Sequence, residues 1–198
     1  MKFYDDVRNE IGPLRQRGFD YIFEYLKTIE NPLIVETGCA RQENNYRGDG
    51  QSSLLFDHYT NEYGGQFYTV DISEESVKYC RSQMVNEKSS VSLGDSILYL
   101  KELNKWLLSK NEKIDFLYLD SFDAPKNDPD TVLTSALHHL YEFTTILPSL
   151  KPGCLIGVDD CWLSGDSISG KGTFIAEYMD KINNKPSLVF HQTFWKLL

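Results

Sequence analysis

Apolar positions along the chain alternate between two spacings. Short β-branched or aromatic runs bounded by turn residues predict strands, and runs with three- and four-residue spacing predict helices. Leu33–Thr37, behind Pro32 and ahead of Gly38, Cys39 and Ala40, is the first strand-like run. Residues 66–71, 90–93, 114–120 and 154–158 repeat the form. Between them lie helical stretches: residues 52–62, closed by Gly64 and Gly65; a helix opened by Ser73 with Glu74 and Glu75 in its first turn; and one through Leu98, Leu100, Leu103, Trp106 and Leu107. Two more run from Val132 to Ile146 and from Phe174 to Ile182. Ahead of the first strand, Phe19, Ile22, Phe23, Leu26 and Ile29 mark a helical segment closed by Asn31 and Pro32. Residues 164–172 read as a Ser/Gly-rich loop, and 187–197 as a terminal strand or two strands with a tight corner. This alternation predicts an α/β fold: a single Rossmann-like, doubly wound, mostly parallel sheet with helices on both faces. The expected organisation is one domain over 1–198, with a helical segment at 1–31 and the Rossmann-like core at 32–198.

Composition narrows the functional classes. Hydrophobic content of 41% with 25% charged residues excludes a disordered chain. A net charge of −9 and no Lys/Arg cluster argue against a nucleic-acid partner. No apolar run approaches the ~20 residues of a membrane span, and Met1–Gly12 is too charged for a leader, so a cytoplasmic protein without a membrane partner is expected. The four cysteines lack C-x-x-C spacing, which favours reduced thiols over disulfides or zinc ligands.

The charge at the strand ends carries the chemistry. In doubly wound sheets ligands bind outside the carboxyl ends of the strands. Here each predicted strand closes on an acid: Glu36, Asp71, Asp95 after Gly94, Asp120, then Asp159 and Asp160. A dinucleotide site would show G-x-G-x-x-G in the first turn, whereas this turn follows a carboxylate. Two like charges ~4 Å apart repel by about 4 kcal/mol at an effective dielectric near 20. The turn therefore suits a ligand carrying an ammonium or sulfonium rather than a pyrophosphate.

In these residues the chain resembles the class I S-adenosylmethionine-dependent methyltransferases, over roughly residues 33–162. The resemblance implies a cofactor site at Glu36, Gly38, Ser52, Asp71, Asp95, Ser96 and Asp120. The Glu36-Thr37-Gly38 turn would lie beneath the amino-acid end, Asp71 would receive the ribose hydroxyls, and Asp95 would accept from the adenine amine. A narrower resemblance is to the metal-dependent catechol and caffeoyl-coenzyme A O-methyltransferases, through Asp120 and the run Val158-Asp159-Asp160-Cys161-Trp162. Strands four and five should be neighbours ~4.8 Å apart. Asp120, Asp159 and Asp160 could then share a hard divalent ion, Mg²⁺ first and Mn²⁺ or Ca²⁺ after it. The implied reaction is methylation of a small hydroxylated acceptor, with the ion lowering the hydroxyl pKa.

Three departures qualify the picture. The family often places a lysine three residues after the strand-four acid, where this chain has Asp123; Asp123 or Lys126 would then join Asp120 in the catalytic set. An insertion at 41–50 precedes Gln51, Ser52 and Ser53, as a lid or a surface excursion. The carboxyl end is short for the usual antiparallel pair. His138 and His139 face different sides of a helix and read as surface or core-edge residues. Trp162 is the best candidate for a substrate pocket and Trp195 for the core. Open alternatives are a metal-independent N-methyltransferase or other user of the same cofactor, and a non-catalytic cofactor-binding domain; a homodimer is also open.

Overall fold

The computed structural model describes residues 1–198. Five strands form where the apolar runs predict them: β1 (Leu33–Thr37), β2 (Gln66–Asp71), β3 (Ser89–Leu93), β4 (Ile114–Leu119) and β5 (Leu150–Val158). They pair in parallel, and β9 (Thr193–Lys196) adds antiparallel to β5, with β8 (Leu188–Val189) beyond it. The sheet order is β3-β2-β1-β4-β5-β9-β8. Strand order reverses between β1 and β4, and a crevice opens above that point.

Side-chain alternation along each strand divides the core. Ile34, Phe67, Phe116, Tyr118, Leu155 and Phe194 face α2 (Pro13–Leu26) and α4 (Ser52–Tyr63), where Phe56 packs edge-on against Phe67, Phe116 and Tyr118. Val35, Leu117, Leu119, Ile156, Val158 and Trp195 face α6 (Ser96–Lys110), α7 (Pro129–Ile146) and α8 (Thr173–Lys181). Runs apolar on both faces are what a doubly covered sheet requires. A smaller cluster seats α5 (Glu74–Gln83) on β3 through Val77, Cys80 and Val91. All four cysteines are free.

Several expectations need correction. The amino-terminal segment is two helices, α1 (Lys2–Val7) and α2, because Gly12 and Pro13 interrupt the run and Pro13 opens the second. The insertion holds a short helix, α3 (Tyr46–Asp49). β5 starts at Leu150, four residues early, continuing through Pro152 and Gly153. The expected 164–172 loop is largely a hairpin: β6 (Cys161–Ser164) pairs with β7 (Ser167–Gly170). Its strands are only four residues each, CWLS and SISG, too short for hydrophobic periodicity to mark them. The antiparallel pair at the carboxyl end is present, with β8 trimmed to two residues. No helix is long and apolar enough to cross a membrane.

Candidate active site

A cleft of about 510 Å³ lies over the ends of β1, β2 and β4. Gly38, Ser52, Asp71, Asp95, Ser96 and Asp120, six of the seven residues expected at a cofactor, line it. Gly38 turns with φ +83°, and a Cβ there would stand 2.5 Å from the Asp120 carbonyl oxygen, so β1 and β4 approach as only glycine permits. Asp71 accepts from two backbone N–H groups, Cys39 (3.0 Å) and Ser73 (2.8 Å), which fixes its carboxylate at the cleft floor. Asp95 caps α6 by accepting from the Leu98 N–H (2.9 Å). Arg41 and Asp49 of the insertion form one wall, and Arg41 pairs with both Asp49 (3.1 Å) and Asp123 on the opposite side.

Glu36 is the seventh, and it lies below the floor rather than in the cleft. Its side chain is buried; Ser53 Oγ donates to Oε2 and accepts from the Ala40 N–H (3.1 Å). Oε1 has no partner in the protein. Burial pushes the Glu36 carboxyl up to about 7, against the hydrogen bond from Ser53 and the nearby hydroxyls of Ser52 and Thr69. The strand period explains the placement: alternate positions of β1 point into the helix layers, and only the turn beyond Thr37 reaches the crevice. Glu36 therefore holds the turn through Ser53 from beneath the cleft floor.

At the far end, the fold brings Asp120, Asp159 and Asp160 together, with cations of the chain itself among them. Lys171 Nζ lies 2.7 Å from Asp120, 2.9 Å from Asp123 and 3.2 Å from Asp160. Arg15, from α2, reaches Asp159 (3.0 Å) and Asp160 (3.3 Å), and His191 lies 3.2 Å from Asp160. Burial works against the charge on Lys171, but the four carboxylates around it outweigh burial and hold its pKa well above the ordinary lysine value. Asp160 is driven the other way: burial raises it, and His191, Lys171 and Arg15 together hold it below the usual range. Asp120 stays well above its ordinary value because burial, with Asp159 and Asp160 nearby, outweighs Lys171. Four carboxylates (Asp120, Asp123, Asp159, Asp160) face Arg15 and Lys171, with Arg41 shared between Asp123 and Asp49. The excess of acid is relieved at Asp120, the carboxyl of the group that holds a proton most tightly.

The remaining expectations fall differently. Asp123 reaches the cleft, but Lys171 and Arg41 outweigh burial and hold its carboxyl below the ordinary value, which makes it a weak base. Lys126 lies outside the main cleft. Its Nζ stands 5.0 Å over the Trp162 ring, beside a small hollow of about 80 Å³ that Asp160 and Lys171 also line. The two histidines do face apart, but His138 faces the cleft. It meets Ser96 Oγ (2.9 Å) and Glu142 (3.2 Å), while His139 is buried and pushed down to about 4 by that burial. Arg15, Lys171 and His138 are the site residues that sequence reasoning missed. Only Lys171 left a trace, as a lone cation between Gly170 and Gly172 in a Ser/Gly-rich stretch.

No family model and no curated protein sequence matches the chain. Among solved structures it is similar to the MycE methyltransferase of the mycinamycin biosynthetic pathway, in complex with Mg, SAH and mycinamycin VI. The TM-score is 0.55 at 14% identity, over 88% of this chain and 47% of that one. It is also similar to NSun6 from Pyrococcus horikoshii with SFG (TM-score 0.53, 14% identity, 87% and 48% covered). A third is human methyltransferase-like protein 13 with SAH (0.51, 14%, 88% and 75%). The chain has the Rossmann-like methyltransferase fold. It spans about half the length of MycE and of NSun6. At this identity the likeness concerns architecture alone.

Proposed function

We propose that the chain is an S-adenosylmethionine-dependent methyltransferase acting on a hydroxyl group of a small acceptor. The observation that carries this is the row of acids at the cleft, Asp71, Asp95 and Asp120, each at the end of a different parallel strand or in the turn after it. The residues fit the cofactor. A cleft of about 510 Å³ falls within the ~300–1,000 Å³ of small-molecule sites. Asp71, anchored by two N–H donors, keeps lone pairs for two vicinal hydroxyls; Asp95 and Ser96 flank the place for a base, and the Gly38 turn lies open to the amino-acid end. When bound, the cofactor supplies an electrophilic methyl group and leaves as S-adenosylhomocysteine.

The protein's part is to hold the acceptor oxygen and take its proton. Asp120 borders both the cleft and Lys171, and burial beside Asp159 and Asp160 gives it the highest proton affinity of the cluster's acids, so in its ionised form it is the proton acceptor. The acceptor enters on the side of Asp160 and Trp162, where the smaller hollow adjoins Lys171. The resemblance to the catechol type implies metal assistance of this same O-methylation. Three carboxylates have the right donor chemistry for a hard ion, but Lys171 and Arg15 already hold all three. The proposed reaction therefore runs without an ion.

Calorimetric titration with S-adenosylhomocysteine tests the cofactor site. Wild type should bind at micromolar concentration, and Asp71→Ala should weaken binding at least about tenfold, equivalent to ~1.4 kcal/mol. Absence of binding to the folded wild type would remove the reading. Labelled cofactor with matched panels of hydroxylated and amine acceptors then sorts O- from N-transfer, and label confined to amines would overturn the hydroxyl assignment.

A further inference from the structure

We infer that Lys171 is the resident cation of the acidic cluster, its ammonium filling the place a divalent ion would need and so excluding one. The inference deepens the reading above by specifying how that site is neutralised, and its test is separable from cofactor binding.

The chain builds this arrangement locally. β5 ends at Val158, Asp159 and Asp160 follow, and the β6–β7 hairpin leaves from them and returns to deliver Lys171 next to its own starting point. Gly170 pairs with Cys161 across the hairpin, with φ +92°. A Cβ on Gly170 would stand 2.1 Å from the Asp160 carbonyl oxygen, and one on Gly172 2.7 Å from Cys161 Sγ. The two glycines flanking Lys171 thus allow its backbone to press against the strand end. The lysine is 3% exposed, unlike an ordinary surface lysine that swings freely in water.

Charge and geometry are matched. An ammonium has three N–H donors, and Lys171 Nζ has one carboxylate for each: Asp120, Asp123 and Asp160. These same three side chains form one of the two groups whose oxygens lie close enough together to hold an ion. The other group, Asp159, Asp160 and His191, is bridged by Arg15. Mg²⁺ would have to sit ~2.1 Å from such oxygens, in the space between them where Nζ already sits. Its charge would also face a buried ammonium at close range, a repulsion that no solvent screens. Each candidate ion position therefore already has a protein cation in it.

Mn²⁺ titration of the full chain, followed by electron paramagnetic resonance, tests this with and without S-adenosylhomocysteine. Wild type should bind no Mn²⁺ at sub-millimolar concentration. Lys171→Met, which keeps the bulk and removes the charge, should bind at least about tenfold tighter, a change of ~1.4 kcal/mol; Lys171→Arg should behave as wild type. If Lys171→Met is too unstable to titrate, millimolar Mg²⁺ should raise its melting temperature and leave that of wild type unchanged. Tight Mn²⁺ binding by wild type that Asp160→Asn abolishes would overturn the inference, as would equal affinity in wild type and Lys171→Met. Cofactor titration is read separately, so failure of the cation assignment leaves the cofactor reading standing, and the reverse.

Discussion

Arg15 Nε lies 3.0 Å from Asp159 Oδ2, tying the amino-terminal helices to the end of β5 across 144 residues of sequence. Asp159 is buried, and its other oxygen accepts only the Asp160 N–H (2.8 Å) at close range. Removing the guanidinium leaves a carboxylate in the interior without its counter-charge. Breaking such a buried pair costs about 3–5 kcal/mol. Arg15→Leu should lose stability of that order in urea unfolding at neutral pH. Combining it with Asp159→Leu should recover part of the loss, because the orphaned charge is then gone as well. A single-variant loss below about 1 kcal/mol would show that water reaches Asp159.

Gly38 makes the second prediction. Its φ of +83° costs a residue with a Cβ about 1–2 kcal/mol, and that Cβ would also meet the Asp120 carbonyl oxygen at 2.5 Å. Gly38→Ala should abolish S-adenosylhomocysteine binding and lower the melting temperature. Gly165→Ala isolates strain from collision, since Gly165 has φ +61° with open space around it. It should show the smaller stability loss and normal binding. Equal behaviour of the two variants would contradict a close β1–β4 approach.

The sequence made parts of this site readable and hid others for physical reasons. Asp71, Asp95 and Asp120 were legible because a parallel strand is a short apolar run, and the residue at its end is fixed by the run itself. Glu36 lies one residue inside the end of β1, and period-two alternation sends its side chain into a helix layer rather than into the crevice. Arg15 lies 144 residues from Asp159 and Lys171 lies 51 from Asp120, and no local pattern encodes such pairings; Lys171 meets the nearer Asp160 only through the β6–β7 hairpin. The three acids suggested a metal because the cations that satisfy them come from distant or weakly patterned segments. His138 shows the same limit: helical spacing separated it from His139, but only the packing of α7 decided which of the two would meet the cleft.

Arg41 links the insertion to the opposite rim, pairing with Asp49 and Asp123 while half exposed. Exposed pairs contribute only about 0.2–1 kcal/mol, so Arg41→Ala should barely move the melting temperature. The same contact closes across the cleft mouth, and its loss should speed S-adenosylhomocysteine release about fivefold in stopped-flow displacement, equivalent to ~1 kcal/mol. An unchanged release rate would mean that the 41–50 segment lines the cleft without gating it.

Glu36 yields a pH dependence whose sign follows from its burial. Its carboxyl is pushed from the ordinary 4.5 up to about 7 in the folded protein, burial outweighing the hydroxyls around it, Ser53 among them. Between those values the folded chain keeps a proton that the unfolded chain has released. The stability from this group is therefore full below the unfolded value and is lost as pH rises through about 7. The full effect is about 3 kcal/mol. Glu36→Gln carries no titrating proton, so the wild type's stability relative to this variant should fall by that order between about pH 5 and about pH 8 in paired urea titrations. The comparison cancels the other titrating groups, His139 among them, which both proteins share. A constant difference across that interval would place Glu36 at its ordinary ionisation and require water or a cation at its unpartnered Oε1.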